Sequence, residues 1–301
     1  MRVYLRTLLL SAVLAWLAAG TVVFFAFQNG IAGLKTVRML NHQIQKIAAS
    51  EIDGSILLLG DSTLRASIVT ETYSDLVGRP VLNLGLNGGY GYAGDLNLLR
   101  RALDRGTPDT VVLFHSTDMI TRRVAYQGFA QSVPSVEELA ELPVVEVLRL
   151  YFSFDGLFAA VTGLTRWIFS ESEPFADGLE QGQAMTAMDV GVRIRRSRYL
   201  PNEINAEKVA FLARVTALCR EHDLRCVYAH GPLYDEVCRV SEEYFTEANR
   251  VIEATGVPVV VGTPYCMPLS EVGDSEDHPA TPLAARYTRR YHRLLEPYLG
   301  R

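Results

Sequence analysis

No charged residue interrupts the stretch from Thr7 to Phe27, TLLLSAVLAWLAAGTVVFFAF, which Arg2 and Arg6 precede and Gln28-Asn29-Gly30 follow. A helix of that length rises about 1.5 Å per residue and crosses a hydrocarbon layer of about 30 Å. The segment therefore reads as an uncleaved membrane anchor. Two alternatives stay open. One is a cleaved signal peptide, for which Ala18-Ala19-Gly20 is small enough, although Thr21 to Phe27 continue the apolar run beyond it. The other is a buried core helix. Orientation is undecided by charge, because Arg2 and Arg6 on one side face Lys35 and Arg38 on the other.

Ile31, Leu34, Val37, Leu40, Ile44 and Ile47 then fall at helical spacing and predict a helical stalk. Beyond it, short fully apolar runs recur at 56–59, 81–84, 111–114, 226–229 and 257–260, which is the signature of parallel strands covered on both faces. Helical stretches separate them at about 67–77, 93–105, 206–222 and 240–254. The alternation predicts an α/β fold, a three-layer α/β/α sandwich with a mainly parallel sheet and right-handed crossovers. From about 119 to 200 the alternation lapses, and the aromatic-rich stretch 143–169 reads as a helical cap insertion. A second membrane span there would carry Glu146, Arg149, Asp155 and Arg166 into lipid at a cost of several kcal/mol each. A buried cap and contact with a membrane surface are the remaining readings. The expected organisation is an anchor at 1–29, a stalk at 30–54 and a domain at 55–301.

Composition narrows the class. Of 301 residues 49% are hydrophobic and 21% charged, which excludes a disordered chain. With 29 Lys and Arg against 34 Asp and Glu the net charge is −5, so nucleic acid is not an expected partner. A basic cluster at Arg193, Arg195, Arg196 and Arg198 reads as a solvated face or as a site for an anionic glycan or lipid head group. The four cysteines suit two disulfides in an oxidising compartment, Cys219 with Cys226 and Cys238 with Cys266; unpaired buried thiols are the alternative. Cysteine and histidine spacings suggest no zinc site, and neither phosphate-loop nor dinucleotide glycine motifs occur, so no metal or cofactor is expected.

The chemistry concentrates at strand ends. Gly60-Asp61-Ser62 closes the first strand, and a serine at such a strand-to-helix turn exposes its hydroxyl beside free backbone N–H groups. The second strand runs into the glycine-rich Asn83-Leu84-Gly85-Leu86-Asn87-Gly88-Gly89. The third ends in His115-Ser116-Thr117-Asp118. His278 follows Asp274, Glu276 and Asp277 just ahead of a final amphipathic helix. A histidine beside carboxylates is the base and orienter that a serine nucleophile requires. Asp61 is expected to order the nucleophile turn. His115 and His230 end strands and are candidates for substrate binding, as is Arg65, one turn beyond Ser62.

On these residues the chain resembles the SGNH, or GDSL, hydrolase superfamily over about 55–118 and 206–298. The resemblance implies Ser62 as nucleophile, His278 as base, and an oxyanion hole from Ser62, Gly88 and Thr117, the last standing where the family usually has Asn. The family's acid lies three residues before the histidine, and here that position is Ser275. Asp274, one residue further back, is the expected orienter, with Asp277 or Glu276, or no orienting acid at all, as alternatives. An anchored domain of this kind is similar to the accessory proteins of bacterial cell-surface O-acylation. That likeness implies a single-pass protein of the bacterial inner membrane facing outward, an acylated glycan or acyl donor as substrate, and a membrane-bound O-acyltransferase as partner. It leaves esterase and transferase equally open. The altered third and fifth blocks also fit a non-catalytic subunit that binds glycan or scaffolds the membrane enzyme.

Overall fold

The computed structural model describes residues 2–34, 37–169 and 197–300 and divides them into two compact units. Residues 2–34, 37–49 and 126–169 form a helical unit, and 50–125 with 197–300 form an α/β unit.

The helical unit begins with α1 (Arg2–Gln28), which over Val3–Gln28 is long and apolar enough to span a membrane. Its first two-thirds are exposed, whereas Val23, Ala26 and Phe27 are buried. The burial comes from α6 (Tyr126–Ser132), α7 (Val144–Tyr151) and α8 (Phe154–Phe169), which pack against α1. Phe24 meets Tyr151 at a tilt and Phe27 meets it edge-on, and Trp16 meets Phe152 at a tilt. Backbone approaches backbone where Gly33 N–H donates to Ala159 O at 2.8 Å. A Cβ on Gly163 would lie 1.8 Å from Ile31 O, so a glycine is required there. The predicted stalk helix is α2 (Arg38–Ala49), which groups with α1 in the helical unit. Residues 30–49 and 126–169 group with α1: α7 and α8 pack on each other and on α1, and Asn41 of α2 donates its amide to Ala32 O at 2.7 Å. Of the basic cluster, Arg193, Arg195 and Arg196 lie outside the described residues. Arg198 approaches Glu243 at 3.4 Å on the surface.

In the α/β unit the apolar runs form β1 (Ile56–Gly60), β2 (Val81–Asn83), β3 (Thr110–His115), β4 (Arg225–His230) and β6 (Val259–Val261), all parallel in the order β2-β1-β3-β4-β6. Every residue of β1, β2 and β3 is buried. Helices cover them: α3 (Ser62–Ser67), α4 (Thr70–Val77) and α12 (Ala284–Leu295) pack together, while α5 (Gly91–Leu103) packs on α9 (Ala206–Glu221) and α9 on α11 (Glu242–Glu253). Local chemistry sets their ends. Asn205 caps α9 by accepting from the N–H groups of Glu207 and Lys208, and Gly78 closes α4 in the left-handed conformation.

β1 pairs with β2 on one side and with β3 on the other, so the chain reverses direction across the sheet here. In open parallel sheets the crevice outside the carboxyl ends at such a reversal is where ligands collect. Gly60 holds the register: a Cβ on it would stand 1.9 Å from Phe114 O.

A second sheet, unforeseen in the sequence, pairs β5 (Leu233–Tyr234) with β7 (Cys266–Met267). Cys238, on the short helix α10 (Asp235–Arg239), lies at disulfide distance from Cys266, with Cα atoms 5.7 Å apart. The expected bridge between Cys219 and Cys226 is not formed. Cys219 faces inward from α9 and meets Cys226 of β4 as a hydrogen-bonded thiol pair, and that contact, with burial, pushes the Cys226 thiol well above its ordinary value.

Candidate functional site

β1 delivers Ser62 to the first position of α3, and Asp61 caps that helix by accepting from Thr63 N–H at 2.9 Å. The second Asp61 oxygen accepts from Ser116 N–H at 3.1 Å and Ser116 Oγ at 2.6 Å, tying the nucleophile turn to the end of β3. Burial alone would raise the Asp61 carboxyl, but His115, Arg122 and Ser116 outweigh it and hold the group well below the usual carboxylate range.

After β7 the chain folds back on itself: Gly273 N–H donates to His278 O at 2.7 Å, and Val272 pairs antiparallel with Pro279. The turn between them carries one residue more than a three-residue spacing needs, and it places Asp274 on the far side of His278. Ser62 Oγ lies 3.0 Å from His278 Nε2, and Asp274 Oδ1 lies 2.7 Å from Nδ1. Asp277 has other partners. Its Oδ2 accepts from Thr63 Oγ1 at 3.1 Å and its Oδ1 from Ser275 Oγ at 2.5 Å, which joins the histidine loop to α3. Glu276 contributes its backbone oxygen to Tyr234 N–H. Burial pulls the His278 imidazole down, yet Asp277 and Asp274 together leave its pKa above the ordinary 6.5.

The strand pairing of β2 continues past Asn83, with Leu84 and Leu86 N–H donating to Leu58 and Gly60 oxygens at 2.8 Å, so the glycine-rich loop is carried alongside the Ser62 turn. Arg65 donates to Asn87 Oδ1 at 2.8 Å and props this loop from α3. On its other flank stands Arg122, which sequence reasoning did not single out. Its Nε and Nη2 fork onto the two Asp118 oxygens at 3.0 and 2.6 Å, and Nη2 also donates to Ser116 Oγ at 3.0 Å. A Cβ on Gly88 would sit 2.1 Å from Arg122 Nη1. The available signal was the spacing of Asp118 and Arg122, four apart, after a strand. Thr117 is placed differently from the expectation. It is 1% exposed and its hydroxyl has no hydrogen-bond partner among the described residues, while its backbone oxygen accepts from Tyr244 at 2.5 Å.

His115 and His230, candidates for substrate binding, are both 0% exposed. Desolvation opposes charge on His115, but Asp95 at 2.8 Å and Asp61 at 3.9 Å carry its pKa up to about 9, so it is a buried imidazolium between two carboxylates. Burial drives His230 down to about 4, and its neutral ring bonds Asn249 at 2.9 Å. Lys208, also buried and lowered to about 8, lies in the same layer against Tyr92 and Gly91. This layer is the polar floor under the Ser62 turn.

Ser62, His278 and Asp274 thus form a hydroxyl–imidazole–carboxylate chain at the carboxyl edge of the sheet, with the Gly88 loop beside it. Such a chain can move the hydroxyl proton onto the imidazole as oxygen attacks an electrophilic carbon. No family model, curated protein or solved structure matches the chain.

Proposed function

We propose that the protein is a membrane-anchored serine esterase or O-acyltransferase of SGNH type, acting on acyl groups such as acetyl of a cell-surface glycan. The observation that carries the reading is the 3.0 and 2.7 Å chain from Ser62 through His278 to Asp274. In the proposed reaction Ser62 Oγ attacks the ester carbonyl while His278 Nε2 takes its proton. The tetrahedral intermediate collapses, the leaving alcohol receives that proton, and the acyl group stays on Ser62. A glycan hydroxyl or a water, deprotonated by His278, then takes the acyl group, giving transfer or hydrolysis respectively. Asp274 holds Nδ1–H toward itself and stabilises the imidazolium.

The apolar helix α1 and the Cys238–Cys266 pair support placing the α/β unit outside the cytoplasm, where a glycan substrate and a membrane-bound O-acyltransferase partner would meet it. A second reading, a non-catalytic glycan-binding or scaffolding subunit, draws on the burial of Thr117.

Covalent labelling separates the two. The full chain in detergent, exposed briefly to a fluorophosphonate or to 4-nitrophenyl acetate, should gain the corresponding mass on Ser62, and the Ser62→Ala protein should gain none. An unlabelled wild-type serine would transfer the case to the scaffolding reading.

A further inference from the structure

Arg122 is anchored through two of its three nitrogens. Nε and Nη2 are committed to Asp118 and Ser116, and Nη2 also lies 3.8 Å from Asp277 Oδ2. Ser116 in turn donates to Asp61, the cap of the Ser62 helix, so the guanidinium is registered to the nucleophile turn through one hydroxyl. Nη1 has no hydrogen-bond partner among the described residues and rests against the Gly88 backbone. The side chain is 23% exposed.

We propose that Arg122 is a catalytic oxyanion donor. Resting on the acyl-transfer reading of Ser62, the assignment has Nη1–H hydrogen-bond the substrate carbonyl oxygen beside the backbone N–H groups of Ser62 and Gly88. As the Ser62 Oγ–carbon bond forms, the carbonyl π pair moves onto oxygen and the serine proton onto His278 Nε2. On collapse the pair returns and His278 protonates the leaving alkoxide. Arg122 neither gives nor takes a proton.

Two observations favour this over recognition of a permanent substrate anion. Asp118 is bonded to the guanidinium and Asp61 and Asp277 act on it through charge, so little unbalanced positive charge remains to hold a permanent substrate anion. A charge that exists only in the transition state gains from a donor whose orientation is fixed beforehand. Thr117, the residue in the oxyanion position of the resembled motif, is closed off from solvent, and Arg122 is the side-chain donor that flanks Gly88 in its place.

The test compares 4-nitrophenyl acetate with its thiono analogue, in which sulfur replaces the carbonyl oxygen and accepts hydrogen bonds poorly, on the full chain in detergent. Arg122→Gln should lower kcat for the oxygen ester by about 10²–10³-fold with KM little changed, and should reduce the preference for oxygen over sulfur. Arg122→Lys keeps the charge but cannot fork Asp118 and reach Gly88 together; it should show the same loss of preference, and it carries the test if Arg122→Gln does not fold. A fluorophosphonate adduct on Ser62 combined with an unchanged oxygen-to-sulfur ratio in the variants would overturn this assignment alone. No adduct on wild-type Ser62 would overturn the acyl-transfer reading and the assignment with it.

Discussion

Two neighbouring carboxylates, Asp274 and Asp277, divide the work around His278. Asp274 accepts from Nδ1, while Asp277 accepts from Thr63 and Ser275 and acts on the imidazole through its charge. Asp274→Asn should therefore lower kcat toward an activated ester by about a hundredfold or more, whereas Asp277→Asn should chiefly shift the pH dependence. The sign follows from the role. A general base must be neutral, and the raised His278 pKa puts the acid limb of kcat/KM above pH 6.5. Removing the Asp277 charge should move that limb to lower pH. A limb that stays in place would mean that Asp277 does not act on the ring. Deeper in the unit, His115 is protonated when folded and has its pKa near 9. Its contribution to stability is fully present below about pH 6.5 and is lost as pH rises toward 9. Denaturation midpoints should fall over that window, and His115→Asn should flatten the decline.

At the scale of elements, the strands were the most legible part of the chain. Continuous apolar runs at 56–59, 81–84, 111–114 and 226–229 coincide with β1 to β4 within a residue or two, because strands buried on both faces have no polar side to hide them. The last run is offset: β6 spans Val259–Val261, where the register against β4 slips beside Tyr228 and Ala229. The β5–β7 pair escaped notice because two residues carry no periodicity. At the site, motif position pointed to Ser62 at the end of β1 and to His278 in the loop ahead of the final helix. What it lacked was the loop geometry that lets a four-residue spacing present Asp274 to Nδ1, and the long-range contacts that seat Arg122 on Gly88 and bury Thr117. Cysteine count alone suggested two bridges, but pairing depends on where sulfurs meet. Thiol titration of the unreduced, denatured protein should find two reactive cysteines, Cys219 and Cys226. Opening the Cys238–Cys266 loop, with a sequence separation of 28, should cost up to about 3.5 kcal/mol on the chain-entropy estimate. Gly60→Ala forces β1 from β3 and should destabilise the α/β unit by on the order of 3 kcal/mol, read from denaturant unfolding.

For the whole molecule, α1 is more than a tether. Its exposed N-terminal part suits lipid, while Val23, Ala26 and Phe27 complete the core of the helical unit with Tyr151 and Ala159. Removing residues 1–15 should leave the proteolytic resistance of segment 126–169 intact. Removing 1–29 should abolish it, since Tyr151 and Ala159 would lose their cover. Fluorophosphonate labelling of Ser62 should survive both truncations, because every partner of the triad belongs to the α/β unit. Equal sensitivity of 126–169 to protease in the two truncations would remove α1 from that core.

The contact between Gly88 and Arg122 also constrains how such a sequence can drift. A methyl at 88 and the guanidinium at 122 claim the same space, so Gly88→Ala pushes the end of Arg122 aside while that arginine is present and meets no such neighbour once it is gone. The two positions are therefore coupled: the cost of enlarging residue 88 is the displacement of Arg122, and losing the arginine removes that cost.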